Sequence, residues 1–331
     1  MPADRPLTTR FGLTLSSEEH GPRRLVEQAV AAEAHGFDFV SISDHYHPWV
    51  SAQGHAPFVW SVLGALASAT DSIDIGVGVT CPTVRIHPAV VAQAVATTGC
   101  LLGSRFTWGV GTGEALNEHI LGDRWPPGAV RLAMLEEAVE VIRKLLVGDS
   151  VTHYGEHFTV EDARLFDVPD PLPPILMSAF GPNAVRLAAE IADGLWTVGG
   201  DADLVQRWRD AGGTGPVWTQ LTVCWDPDRD TAIDRAWRQW PNTAVPGQLS
   251  QDLRTVEHFE QAAESVRRDE IADSIPCGPD LAPIVEAVSG AIEAGADHIY
   301  FHQVGDPLDG FMDLWDTELR GAVNELARSA T

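Results

Sequence analysis

Short apolar runs separated by helix-patterned stretches recur eight times along this chain, and few folds accept such a series. The runs lie at residues 11–15, 37–43, 73–79, 106–110, 175–178, 194–198, 217–225 and 298–301. Between them come apolar residues at helical spacing. Leu25, Ala29 and Ala32 follow Pro22 and stop at Gly36, and Leu135, Val139, Ile142 and Leu146 share one face of a helix over 131–146. On the outer face of that helix Glu140 and Lys144 form an i,i+4 pair. Strands and helices alternating without a break imply a parallel sheet covered by helices. Eight such units close a (β/α)8 TIM barrel. A doubly wound open sheet is the competing α/β arrangement, disfavoured because no strand-to-helix loop completes a G-x-G-x-x-G phosphate fingerprint.

At 331 residues the chain accommodates one barrel, which typically takes ~250 residues, with insertions to spare. The expectation is a single domain over 1–331, with a small hairpin at 151–164 and a helical insertion at about 240–276. No apolar run approaches the ~20 residues that span a bilayer, and residues 1–10 lack the apolar core of a signal peptide. Four cysteines, Cys81, Cys100, Cys224 and Cys277, stand far apart without a C-x-x-C, so neither a zinc site nor a disulfide framework is indicated. A reducing cytoplasm is the expected location. A formal net charge of −25 excludes nucleic acid and anionic membranes as partners, since both need a basic surface. An anionic cofactor would have to be held by backbone amides, helix N-termini and local arginines such as Arg85.

In a barrel the chemistry sits where strands give way to loops at the C-terminal face. Three polar clusters occupy such positions: Asp44 and His45 with Trp49 after the second strand, Thr80 and Cys81 after the third, and Gly111-Thr112-Gly113-Glu114 with Asn117 after the fourth. A histidine is a base near neutral pH, a desolvated carboxyl can hold a proton, and an indole walls a flat ligand. The glycines let a flat ring approach the backbone. His45 alone could equally be a strand-end residue capped by backbone; its position favours function. His45, His47, His55 and Asp44 cluster in sequence, yet no cysteine stands near to close a tetrahedral site, and no metal is expected.

These stretches, with Ser43 to Trp49, Gly54 to Ser61, Pro82 to Pro88, Gly109 to Asn117, Ser178 to Pro182 and Asp193-Gly194, resemble the luciferase-like barrel family. Within it the resemblance is to the oxidoreductases that use the deazaflavin coenzyme F420, nearest to the glucose-6-phosphate dehydrogenase branch. It implies that Asp44, Gly78 and Val79 joined by a non-proline cis peptide, Thr80, Cys81, Gly111, Thr112, Gly113, Asn117, Ser178, Ala179, Phe180 and Gly181 line the coenzyme. It further implies His45 as base, Glu114 as acid, Trp49 as a wall for the transition state, and a homodimer acting on a small molecule. One departure bears on the substrate: sugar-phosphate members carry a lysine after the sixth strand, where this chain reads Trp196-Thr-Val-Gly-Gly-Asp201, and Lys144 is the only lysine. An uncharged alcohol, hemiacetal or carbonyl compound is therefore expected rather than glucose 6-phosphate. The alternatives are an FMN-dependent luciferase-like monooxygenase and a barrel that only stores or senses the deazaflavin.

Overall fold

The barrel strands bury a large apolar core against the helices on their outer faces, and a smaller cluster of mostly aromatic side chains fills the interior. The computed structural model describes residues 9–245 and 247–329. The reading of the first ten residues as lacking a signal peptide therefore falls mostly outside the described residues.

The chain runs β1 (Arg10–Leu15), α1 (Pro22–Ala34), β2 (Phe39–Ile42), α2 (Val59–Ala69), β3 (Asp74–Thr80), α3 (Pro88–Leu102), β4 (Phe106–Val110), α4 (Ala115–Glu118) and α5 (Gly128–Leu145). A hairpin of β5 (Val151–Tyr154) and β6 (Thr159–Ala163) stands outside the barrel. Then follow β7 (Ile175–Ser178), α6 (Pro182–Ile191), β8 (Gly194–Val198), α7 (Ala202–Asp210), β9 (Val217–Val223) and α8 (Arg229–Gln239). The stretch expected as a helical insertion carries a 3-10 turn (Pro241–Ala244), α9 (Leu249–Asp252), α10 (Val256–Ala263) and α11 (Arg268–Ser274). The chain then returns through α12 (Ala282–Glu293) to β10 (His298–Gln303), and ends with α13 (Leu308–Leu314) and α14 (Arg320–Ser329). Eight parallel strands close in the order β1-β10-β9-β8-β7-β4-β3-β2, a (β/α)8 barrel as expected.

Inside the barrel, Phe39, Leu176, Trp196, Trp218 and Tyr300 form a packed plug, with the Trp196 indole N–H donating to the Tyr300 hydroxyl at 2.6 Å. The glycines of β3 are the complement of that plug. A Cβ on Gly76 would lie 2.8 Å from Trp218, and one on Gly78 would lie 2.3 Å from Trp196. Large rings on β8 and β9 thus require bare backbone on β3 opposite them.

Two local differences from the sequence reading have clear causes. The sequence reading assigns no helix to α7, α8 or α12; α8 buries only Ala232, Ile233 and Ala236 among charged neighbours, a weak apolar signal. The expected closing helix over 308–326 is broken by a π-helical turn, Trp315–Leu319. There Trp315 stacks on Phe37 (4.3 Å between ring centres) and donates its indole N–H to the His35 carbonyl. Among the described residues no helix is long and apolar enough to cross a membrane.

Candidate active site

At the C-terminal ends of β3, β4 and β7 the backbone forms an open cradle. The Gly78–Val79 peptide is cis, and the pairing of β3 with β4 shifts register between Val77 and Thr80. Val79 thereby reaches the wall of a cavity of about 890 Å³, which Gly111 to Glu114, Ser178 to Ala184 and Trp49 also line. Gly111 is small by necessity: a Cβ there would sit 2.8 Å from Val79 Cγ2 and fill the cradle floor. Gly113 adopts φ +72°, and a Cβ on it would meet Cys81 Sγ at 2.6 Å. Cys81 and Thr80 accordingly lie buried behind the loop rather than on its open side. The missing Cβ of Gly78 makes room for Trp196 beneath, whereas the sequence reading set that glycine against a bound ring.

Loop polarity brings the remaining sequence candidates together around one amide. Asn117, buried on α4, accepts at Oδ1 from the Tyr46 and His47 backbone N–H groups, at 2.9 and 3.1 Å, which fixes which way the amide points. Its Nδ2 then faces Glu114 Oε2 at 3.4 Å and His45 Nδ1 at 3.2 Å. His45 Nδ1 also lies 3.1 Å from the His47 carbonyl, and its ring packs 4.9 Å from that of Trp49. Trp49 is held from behind by Phe259 of α10. His45, Glu114, Trp49 and Asn117 therefore form one neighbourhood on the β2–β4 side of the barrel mouth.

Two residues of this neighbourhood escape the sequence reading. Glu18, in the loop after β1, places Oε1 3.4 Å from His45 Nε2, while its Oε2 accepts from Ser43 and Ser16 hydroxyls at 2.6 and 3.2 Å. Glu118 closes a buried ion cluster: Arg85 donates from Nη2 to Asp44 Oδ1 at 2.9 Å, and from its backbone N to Glu118 Oε2 at 2.6 Å. Arg85 is thus committed to two internal carboxylates, which corrects its reading as a ligand for an anionic cofactor. Asp44 Oδ2 and Thr80 Oγ1 are buried without a hydrogen-bond partner among the described residues.

Burial pushes the Glu118 carboxyl up to about 7, against the pull of Arg85 and with Glu114 and Asp44 adding repulsion. A carboxyl whose folded value exceeds its unfolded 4.5 binds more protons when folded, so its contribution to stability is lost as pH rises from 4.5 through about 7. Glu118→Gln is expected to flatten this part of the curve. Calorimetry at about pH 5 and about pH 8 should show the variant gaining on the parent at the higher pH.

Among the described residues Arg131 is the sole cation lining the cavity. It stands on the first turn of α5, donates to the Pro126 carbonyl (2.7 Å) and Gln251 Oε1 (2.8 Å), and leaves Nε buried and unpartnered. Facing it across the cavity is the N-terminus of α6, where Gly181, Pro182, Asn183 and Ala184 line the wall. Among the described residues nothing basic replaces the missing lysine after β8: Asp201 caps α7 at Leu204 N, Arg254 and Arg267 are exposed on the insertion and Arg268 is half-buried there, the latter two in pairs with Asp269 and Asp234.

Residues 6–298 match the family model described as luciferase-like monooxygenase. An F420-dependent glucose-6-phosphate dehydrogenase of Microbacterium testaceum is 35% identical over 94% of this chain and 96% of its own. One from Segniliparus rotundus is 35% identical over 97% of this chain and 99% of its own. Among solved structures, an F420-dependent secondary alcohol dehydrogenase in complex with an F420-acetone adduct superposes with a TM-score of 0.88 at 30% identity, covering 96% of this chain and 99% of that one.

Proposed function

The chain belongs to the luciferase-like monooxygenase family, and from that premise we propose that it is a coenzyme F420-dependent oxidoreductase for a small uncharged alcohol or carbonyl compound. The observation that carries the reading is that His45 and Glu114 lie 3.2 and 3.4 Å from one Asn117 amide nitrogen, with Glu114 and Trp49 in the wall of a cavity roomy enough for a flat ring. Val79, Gly111 to Gly113 and Ser178 to Gly181 would hold the deazaflavin. Arg131 and the α6 N-terminus would hold its anionic tail.

When bound, the coenzyme supplies an acceptor for the hydride of a carbinol carbon. His45 takes the hydroxyl proton at Nε2. That role uses the tautomer with Nδ1–H directed to the His47 carbonyl, which leaves a lone pair on Nε2 and leaves the Asn117 Nδ2 donor to Glu114 alone. The imidazolium so formed lies 3.4 Å from Glu18 Oε1, and the carboxylate stabilises it. Glu114, in the cavity wall, would hold a proton for the coenzyme as the acid partner of His45. Trp49 shields the reacting face from water and offers its π-cloud to developing positive charge. A working dimer in the cytoplasm completes the reading.

The substrate class follows from charge. The relatives are named for glucose 6-phosphate, but a phosphate on the substrate needs a cation that the coenzyme has not already claimed. With Arg131 the only cation in the cavity wall among the described residues and no lysine after β8, none of these is left. Anaerobic assays with the deazaflavin should show turnover of secondary alcohols or their ketones and none of glucose 6-phosphate at micromolar concentration. Turnover of the sugar phosphate in that range would move the substrate to the phosphorylated class. Oxygen uptake dependent on substrate and FMN would instead support a monooxygenase.

A further inference from the structure

The barrel brings together two cysteines that the sequence keeps far apart. Cys224 follows β9, and Cys277 follows α11 at the exit of the insertion. The Cys224 N–H donates to the Pro276 carbonyl (2.9 Å), and the Gly278 N–H donates to the Cys224 carbonyl (3.0 Å), so the two residues pair directly in an isolated parallel bridge. Directly paired parallel residues have Cα atoms about 4.8 Å apart, with side chains on the same face. A disulfide accepts Cα separations of roughly 4.4–6.8 Å. Both cysteines are free thiols here.

The two differ as an attacking and a resolving thiol should. Cys277 is half-buried, and Cys224 is fully buried in a cluster with Ala232, Ala236, Trp240, Ile271 and Ile275. The Cys224 thiol donates to the Ala232 carbonyl at 3.2 Å; the neighbouring Cys277 and burial raise it, whereas the neighbouring Cys224, aided by Arg229, Arg235 and Arg268, lowers Cys277. Accessible sulfur with the lower thiol pKa reacts first.

We propose that Cys224 and Cys277 form a redox-active dithiol that closes to a disulfide by exchange with a low-molecular-weight disulfide. The Cys277 thiolate attacks one sulfur of the small disulfide and expels one thiolate. Cys224 then attacks Cys277 Sγ, gives its proton to the departing thiolate and completes the internal bond. Two protein thiols are oxidised and one small disulfide is reduced to two thiols. The cross-link fastens the C-terminal root of the insertion to the end of β9. The insertion supplies Gln248, Ser250 and Gln251 to the cavity wall and Phe259 behind Trp49, so oxidation ties down that wall. The proposal is independent of which coenzyme the cavity takes.

Full-length protein equilibrated with millimolar glutathione disulfide, quenched, alkylated and mapped by mass spectrometry tests it. The expected result is a Cys224–Cys277 cross-linked peptide with a mass loss of about 2 Da. The unfolding midpoint should rise by roughly 5 °C, reversibly on reduction, because the bond closes a long loop. Cys277→Ser should form no cross-link. An unchanged thiol titre, oxidation halted at glutathione on Cys277, or a bridge to Cys81 or Cys100 would overturn the proposal.

Discussion

His45→Ala loses about 10³-fold in kcat for alcohol oxidation while its affinity for the deazaflavin stays within about 3-fold of the parent; this is the expected result of deleting the base at the cradle's edge. The figure corresponds to ~4 kcal/mol of barrier. Binding should survive because the cavity is walled by Val79, Gly111 to Glu114 and Ser178 to Ala184, none of which depends on the imidazole for its fold. The ring is small and 11% exposed at its side chain, and its closest aromatic neighbour, Trp49, is supported independently by Phe259. Glu18→Gln should lose less, about 10-fold, since it removes the charge facing Nε2 but leaves the imidazole in place. Steady-state and single-turnover kinetics on the three proteins check both numbers. Near-normal turnover by His45→Ala would remove the base assignment.

Arg85→Met is the second large effect, and it falls on stability. The Arg85 side chain is 6% exposed, and it faces Asp44 and Glu118 side chains that are 0% and 1% exposed. Deleting the cation from such a cluster strands buried negative charge, at a cost of roughly 3–5 kcal/mol. For a chain of this size that is a fall of about 6 °C in unfolding midpoint. The loss depends on pH with a definite sign. Without Arg85 the Glu118 carboxyl, already raised by burial, loses the cation that pulls it down, so the folded variant binds extra protons and recovers stability as pH falls toward about 5. Scans at about pH 7.5 and about pH 5.5 should show the deficit shrinking at the lower pH, and Asp44→Asn should relieve part of it at the higher. A deficit equal at both pH values would mean that Arg85 matters through packing alone.

The barrel was legible because each strand is a compact apolar run ending in glycine or a polar residue, and such runs keep their meaning whatever the neighbours do. Asp44, His45, Glu114 and Asn117 were legible by position, since strand ends of a closed barrel face a common mouth. What the sequence hid is pairing across distance. Glu18 sits in the polar run Ser16-Ser17-Glu18-Glu19, and nothing local says that it folds onto His45. Arg85 reads as a free loop cation until its partners, 41 and 33 residues away, are seen to claim it. The glycine at 78 reads as room for a guest, whereas the nearest ring is the protein's own Trp196. Cys224 and Cys277 show no motif because their proximity is made by β9 and the insertion's return path.

The most direct measurement is an anaerobic equilibrium titration of the full-length protein with coenzyme F420, run beside FMN and beside Gly111→Val. A valine there would project into the cradle where even a bare Cβ lies 2.8 Å from Val79. The expected result is saturable binding of the deazaflavin at one equivalent per chain, at least ~10-fold weaker in Gly111→Val, with FMN bound poorly. Tight binding of FMN with no binding of the deazaflavin, or deazaflavin binding that Gly111→Val leaves unchanged, would contradict the placement of the coenzyme in this cradle.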